Sequence, residues 1–476
     1  LKIMKGLIWF RSDLRIDDNP ALLNASNTCD ELIGIYIFSK SQWALHNESA
    51  IKLEFLQKNL ILLEQSLQKL NVPLQVIETK NYDSLSLDLA SFANLNSVEH
   101  IYWNNEFGVN EGKRDLAVSN LLKDYGINST CFDDQVIYEP GYLRTGQGKP
   151  FSVFTPFKRR WIENFSLDFM NLDKPTTPLK ITQLNSDLSL LNFPKKHSVD
   201  MTLWPAGEVS ALERLSSFLV KKVNSYSQSR NDPILDGTSR ISPYLTLGII
   251  SPKRCILEGL KLNNFELTSG NKGVCKWIDE IIWREFYRNI MHSFPRVSMN
   301  LPFQDYTKNI HWRYSEDELE RFYTGNTGFP IVDAGIRQML EEGWMHNRLR
   351  MVVAMFFTKN MLHDWRLGEK FFMENLIDGD FSSNNGGWQW SSSTGTDAAP
   401  YFRIFNPITQ SQNFDPNGEF IKKFIPELKD VPIAQIHQPK DDLFSSIDYP
   451  TPILNLKESR IRAIQAFKDA REVSGI

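Results

Sequence analysis

The chain is predicted to fold as an N-terminal α/β domain on a parallel sheet, then a connector, then an all-helical domain. Three observations carry this. Short apolar runs alternate with amphipathic helical stretches over residues 4–135, the pattern of a parallel sheet covered on both faces. Residues 136–205 contain Pro and Ser and show little periodicity. From Glu208 onward helical periods dominate and β-branched strand runs vanish, which sets the helical domain at 206–476.

In order, Gly6–Phe10 is a buried strand bounded by polar residues, and Asn19-Pro20 opens a helix to about Ala25. Glu31–Phe38 is a second strand. Leu53, Leu56, Leu60, Leu63, Leu67 and Leu70 recur at helical spacing, so residues 51–70 are a helix. A strand at 73–77, a helix at 84–93, a strand at 100–103, a helix at 111–125 and a strand at 129–132 complete the α/β part. No GxGxxG follows the first strand, so no dinucleotide site is indicated there. Within the connector, Thr155–Trp161 is the basic-aromatic cluster, read as a solvated helix start. A final helix spans 458–473.

Net charge is −4, so nucleic-acid contact requires a local basic patch. Four cysteines without CxxC spacing exclude a disulfide framework and a zinc site, and no metal is expected. No run of 18 apolar residues or secretory h-region is present, which points to no membrane span and a reducing, cytoplasmic compartment. Of twelve tryptophans, seven fall from Trp277 to Trp390, which suggests a ring-lined cavity or an electron path.

The stretch from Asp378 to Trp390 holds two carboxylates, three amides, three glycines and two indoles. Asn384-Asn385-Gly386-Gly387 is turn chemistry, so an irregular pocket loop is expected. On a helix at 274–292, Glu280, Trp283, Arg284 and Tyr287 share one face, read as a partly dry cavity wall. A helix at 344–361 aligns Asn347, Arg350, Met351 and Ala354, with Arg350 expected to pair with a buried Asp378. Gly237–Ser242 offers amides, hydroxyls and a guanidinium suited to a diphosphate, with Tyr226 upstream.

Taken together, WFRSDLR at 9–15, WREFYR at 283–288, GFPIVDA at 328–334, WMHNRLRM at 344–351, LIDGD at 376–380, NNGGWQW at 384–390 and STGTDAAPYFRIFNP at 393–407 resemble the class I cyclobutane pyrimidine dimer photolyases of the photolyase/cryptochrome family. The resemblance runs nearly the whole chain. It implies a Rossmann-like α/β antenna domain and a helical domain that binds FAD. It further implies that Tyr226, Thr238, Ser239, Arg240, Ile241, Ser242, Trp277, Arg284, Asn347, Arg350, Asp378, Gly379, Asp380 and Asn384 hold the cofactor.

By the same resemblance the substrate is a pyrimidine dimer flipped out of DNA and split by light-driven electron transfer from reduced FAD. Trp283 and Trp390 are implied to grip the dimer, Glu280 to hydrogen-bond its carbonyls, and Asn347 and Met351 to complete the catalytic set. Arg230, Arg284, Tyr287, Arg348 and Arg403 join Glu280, Trp283, Asn347 and Trp390 in the implied DNA contact. Trp388, Trp365 and Trp312 match a chain that carries electrons to the flavin. His46, Asn110 and Glu111 match an antenna site for 5,10-methenyltetrahydrofolate. A monomer without an obligate protein partner is expected. A cryptochrome-type blue-light photoreceptor is the alternative, opposed by Glu280, Trp283, Met351 and Trp390 and by the short C-terminus. Asn347 and Met351 stand where photolyases for (6-4) lesions place histidines, and a small-molecule flavin oxidoreductase would need a pyridine-nucleotide site.

Overall fold

The computed structural model describes residues 4–170, 172–196, 198–440 and 447–475. The first three residues, read as the lead into the first strand, lie outside the described residues, as does residue 476, where the expected helical domain ends. The chain forms two compact units that interleave along the sequence. One comprises Leu1–Lys196, Trp204–Asn224 and Ser239–Pro295; the other comprises His197–Leu203, Ser225–Thr238 and Arg296–Ile476. Among the described residues no helix is long and apolar enough to cross a membrane.

The first unit is organised by a five-stranded sheet: β1 (Lys5–Phe10), β2 (Glu31–Phe38), β3 (Leu74–Glu78), β4 (His100–Asn104) and β5 (Asn128–Phe132). Their order is β3-β2-β1-β4-β5, and all four pairings are parallel. In β2 every residue after Glu31 is buried, which is why it reads as a continuous apolar run. β5 is an edge strand with no residue fully buried, and its sequence NSTCF is correspondingly polar. The predicted helices appear at Pro20–Thr28, Ala50–Gln68, Tyr82–Leu95 and Val109–Asp124. Asn19 caps the first by accepting from the Leu22 amide at 3.1 Å. A further helix, Lys40–Leu45, was not predicted; six residues are too few for a period to register.

At the C-terminal ends of β1 and β4 the sheet gathers charge. Arg11 Nη1 donates to both Asp115 oxygens at 2.7 and 2.8 Å, and Arg114 Nη2 donates to Glu106 at 2.9 Å. Both guanidiniums lie over the Trp9 ring, at 4.5 and 5.0 Å. Burial alone would raise the Glu106 carboxyl, but Arg114, Arg11 and the Ser12 hydroxyl overcome it and hold the pKa at about 2. A depressed carboxylate stabilises the fold above its unfolded pKa, and that contribution fades as pH falls through the folded one. Glu106→Gln is therefore expected to cost about 2–3 kcal/mol at neutral pH. Urea midpoints across pH check this: the gap to the parent protein narrows from about pH 4.5 towards pH 2, and a pH-independent gap contradicts it.

The connector is more ordered than its sequence suggests. Its basic-aromatic cluster forms the helix Phe154–Glu163, in which Phe154, Phe157 and Trp161 are buried. The reading as a solvated helix start is corrected: only the basic face is wet, and Lys158 pairs with Asp279 at 2.6 Å. Glu285, on the helix Lys272–Ser293, anchors this segment by accepting from the Ile137 and Tyr138 amides and from Trp161 Nε1 at 2.8, 3.2 and 3.0 Å.

The second unit is helical around a core that includes Phe322, Phe329, Met339, Phe357, Trp365, Phe372 and Trp388. Two sequence expectations are corrected here. The predicted helix 344–361 begins only at Asn347, where His346 caps it, and after Met355 it widens into a π-helical turn, Phe356–Asn360. The Asp378–Trp390 stretch is not an irregular loop. Asp380 accepts from the Ser383 amide at 2.9 Å and starts the helix Phe381–Ser392. Paired glycines in a helix cost about 1 kcal/mol each. Tertiary bonds offset that: Asn384 and Asn385 donate to the backbone oxygen and the carboxylate of Glu369, both at 2.9 Å, and Gln389 donates to Asn385 at 3.0 Å. Trp388 packs on Gly368, where a Cβ would overlap the indole.

Candidate functional site

In the first unit the helix Lys272–Ser293 presents Glu280, Trp283, Arg284 and Tyr287, all half-buried. Trp283 stacks on Phe154 with ring centroids 3.6 Å apart and planes 9° from parallel. Tyr287 lies 5.7 Å from the same indole. The Trp283 ring is thus held on one side by a rigid aromatic support. Phe154 was not singled out in the sequence, although Phe151, Phe154 and Phe157 at three-residue spacing signal a buried face. Arg284 turns inward and donates to the carbonyls of Gln135 at 2.6 Å and Leu245 at 3.1 Å. Glu280 lies 3.6 Å from Lys276, one turn earlier on the helix.

The run at 239–242 lies against the same helix. Trp277, 2% exposed, donates from Nε1 to Ser239 Oγ at 3.3 Å. Arg240 holds a left-handed φ of 48°, which bends the backbone just before the short helix Ser242–Thr246, and Ile241 is its N-cap. This brings Ser239, Arg240, Ile241, Ser242 and Trp277 together as hydroxyl, guanidinium and indole groups.

In the second unit Arg350 and Asp378 form the expected pair. Arg350 Nη2 donates to both carboxylate oxygens at 2.9 and 2.8 Å, and Nε donates to the Met345 carbonyl at 2.8 Å. The Asp378 side chain is only 3% exposed. Asn347 opens its helix and is exposed, while Met351, one turn on, is half-buried. Gly379 is buried, and Asp380 and Asn384 are half-buried at the start of the helix that carries Trp388 and Trp390.

Trp388 is 1% exposed and meets Phe372 and Phe357 edge-on at 4.8 and 5.7 Å. Trp365 belongs to the same core and carries the Arg366 guanidinium 4.6 Å above its ring. Trp312 packs at the margin of that core, 6.3 Å from Phe467. Trp390 is half-buried at the far end of its helix, and Arg403 is exposed beyond it.

Tyr226, buried, starts the short helix Tyr226–Ser229, and Thr238 is half-buried a little further on. Arg230 lies 5.8 Å from the Tyr226 ring. Arg348 donates to Asn231 at 2.7 Å and sits 4.3 Å from the Phe414 ring. Burial, and then the neighbouring Arg230, lower the Arg348 pKa.

His46 and the adjacent pair Asn110 and Glu111, the residues matched to an antenna site, lie together in the first unit. Asn110 Nδ2 lies 3.3 Å from His46 Nε2, and His46 Nδ1 lies 3.8 Å from Glu111. Gln42 joins His46 at 2.8 Å, and the Tyr82 hydroxyl donates to Glu111 at 3.4 Å.

The FAD binding domain of DNA photolyase matches residues 277–469, and the DNA photolyase model matches residues 6–179. The chain is 41% identical over 480 residues to a deoxyribodipyrimidine photo-lyase of Buchnera aphidicola, covering 98% of each. A bacterial class III photolyase from Agrobacterium tumefaciens superposes with a TM-score of 0.90 at 32% identity, over 99% of this chain and 98% of that one. An archaeal photolyase from Sulfolobus tokodaii, described as having two FAD molecules, superposes at 0.84 with 28% identity, over 98% of this chain and 100% of that one. The motifs, the parallel sheet with its helical remainder, and these likenesses agree, and the chain belongs to the DNA photolyase family.

Proposed function

We propose that the protein is a deoxyribodipyrimidine photo-lyase that splits cyclobutane pyrimidine dimers in DNA. The near full-length identity to a photo-lyase carries this reading. The donor set fits the cofactor: a guanidinium locked by Asp378 suits an anionic ring system, and hydroxyls beside Arg240 suit phosphates. Bound reduced FAD supplies the light-driven electron. The protein's own work is binding, orientation and exclusion of water. Arg350 and Asp378 form a buried polar pair that binding need not reorganise. Ser239, Arg240, Ile241, Ser242, Tyr226 and Thr238 are the phosphate and ribityl contacts; Trp277, Arg284, Asn347, Gly379, Asp380 and Asn384 complete the set.

Extruding a dimer costs less than extruding a normal pair, because a dimer stacks and pairs poorly. By the family resemblance Trp283, Trp390 and Met351 are the apolar contacts of the extruded lesion. Glu280 holds its carbonyls, and Asn347 is the second polar catalytic residue. Arg230, Arg348 and Arg403 bind phosphates, and Arg284 and Tyr287 complete the DNA face. Trp388, Trp365 and Trp312 recharge oxidised cofactor. Trp283→Ala is expected to weaken binding to dimer-containing DNA by about 1–3 kcal/mol. Fluorescence anisotropy with damaged and intact oligonucleotides checks this, and unchanged affinity removes Trp283 from the lesion pocket.

The antenna reading is 5,10-methenyltetrahydrofolate at His46, Asn110 and Glu111. The mutual approach of the three supports it. A folate absorbance band after reconstitution that is lost in His46→Ala is expected; no band in the parent protein contradicts it. A DNA substrate supports the reading of a cytoplasmic, DNA-associated protein. Repair of a dimer-containing oligonucleotide under blue light, beside a dark control, tests the whole. Repair in light alone is expected, whereas flavin photoreduction without repair would favour the photoreceptor.

A further inference from the structure

Lys359 takes no part in the chemistry above, yet its placement is specific. It is fully buried, in the π-helical turn Phe356–Asn360 of the second unit. Its ammonium donates to Ser393 Oγ at 2.6 Å and to the Tyr401 carbonyl at 3.0 Å, and lies 4.7 Å from the Phe467 ring. Burial pushes its pKa down to about 7. A methionine would fill the same space without desolvating a charge. What only the ammonium supplies is one donor group reaching two strands of the same loop.

That loop begins at Ser393, the left-handed C-cap (φ 61°) of the helix that carries Trp388 and Trp390. The Ser393 hydroxyl donates onward to the Ala399 carbonyl. The Ser393 and Ala399 amides both donate to the Trp390 carbonyl, at 3.3 and 3.2 Å. The Arg403 amide closes a turn on Pro400 at 2.8 Å. The ammonium thus bonds the loop at its start, Ser393, which is itself bonded to Trp390, and again at Tyr401, two residues before Arg403.

We propose that Lys359 is a positioning residue for the DNA face: its ammonium fixes residues 393–403 so that Trp390 and Arg403 meet damaged DNA together. This rests on the reading of Trp390 and Arg403 as DNA contacts. Lys359 touches neither cofactor nor substrate, so it sets geometry rather than chemistry.

The experiment measures affinity for a dimer-containing oligonucleotide across a salt series in the FAD-loaded protein. The variants are Lys359→Met, Ser393→Ala and Arg403→Ala, with the Lys359→Met/Arg403→Ala double variant. Each phosphate contact contributes about 0.9 to the slope of log affinity against log salt. Lys359→Met is expected to weaken binding roughly tenfold and to lower that slope by about one contact, as Arg403→Ala does. The double variant should keep the salt slope of Arg403→Ala alone and be weaker than it only by what Trp390 contributes, and flavin absorbance and photoreduction should match the parent protein. Ser393→Ala should move affinity and slope the same way by less, and it decides the matter if Lys359→Met does not fold. Parental affinity and slope in Lys359→Met, with both reduced in Arg403→Ala, would overturn the proposal. An unchanged slope in Arg403→Ala would remove Arg403 as a phosphate contact, and the proposal with it.

Discussion

Trp388→Phe is expected to abolish photoreduction of oxidised FAD while leaving dimer repair by already reduced enzyme intact. An indole gives up an electron far more readily than a phenyl ring, so the substitution breaks the proposed relay at a fully buried member. The fold should tolerate it. Among the described residues Trp388 Nε1 has no hydrogen-bond partner, so losing the N–H orphans no acceptor there. The remaining penalty is a cavity facing Gly368, Phe357 and Phe372, worth about 1–2 kcal/mol. Flash photoreduction followed by absorbance reads the first effect, and urea unfolding the second. Photoreduction at the parental rate would take Trp388 out of the relay.

Arg350→Met should destabilise the second unit and loosen the cofactor. Asp378 would be left as a buried carboxylate without its bidentate partner, and the Met345 carbonyl would lose a donor. Removing one member of a buried pair costs about 3–5 kcal/mol. The Arg350 side chain is 25% exposed, so partial solvation moves the expectation to the lower end. Arg350→Met/Asp378→Leu should recover much of the stability, because it leaves no uncompensated charge, yet still fail to retain FAD. Urea midpoints and the flavin-to-protein ratio after gel filtration measure both. A change below about 0.5 kcal/mol in Arg350→Met would show that solvent already screens the pair.

The α/β part was legible because its strands are buried on both faces, so β1, β2 and β4 stand out as apolar runs against their flanks. The long helices were legible from spacing, and Asn19-Pro20 marked a cap that the structure keeps. The Asp378–Trp390 stretch was misread because local preference and tertiary demand conflict there. Asn-Asn-Gly-Gly favours turns, whereas bonds to Glu369, more than a dozen residues earlier, hold it helical. Motifs named the site residues, but spacing could not reveal their supports. Phe154 beneath Trp283 joins distant segments, and Lys359 acts on residues 34 and 42 positions away. The phenylalanine spacing marks Phe154 as buried but not what it supports, and Lys359 carries no mark in its own neighbourhood.

Light is expected to move an electron from reduced FAD on this chain to a pyrimidine dimer. Fluorescence lifetime of the reduced flavin, with a dimer-containing or an intact oligonucleotide bound, tests it most directly. A shortened lifetime is expected with the dimer alone, with restored thymines in the same illuminated sample. Identical lifetimes with both oligonucleotides at saturation would contradict it.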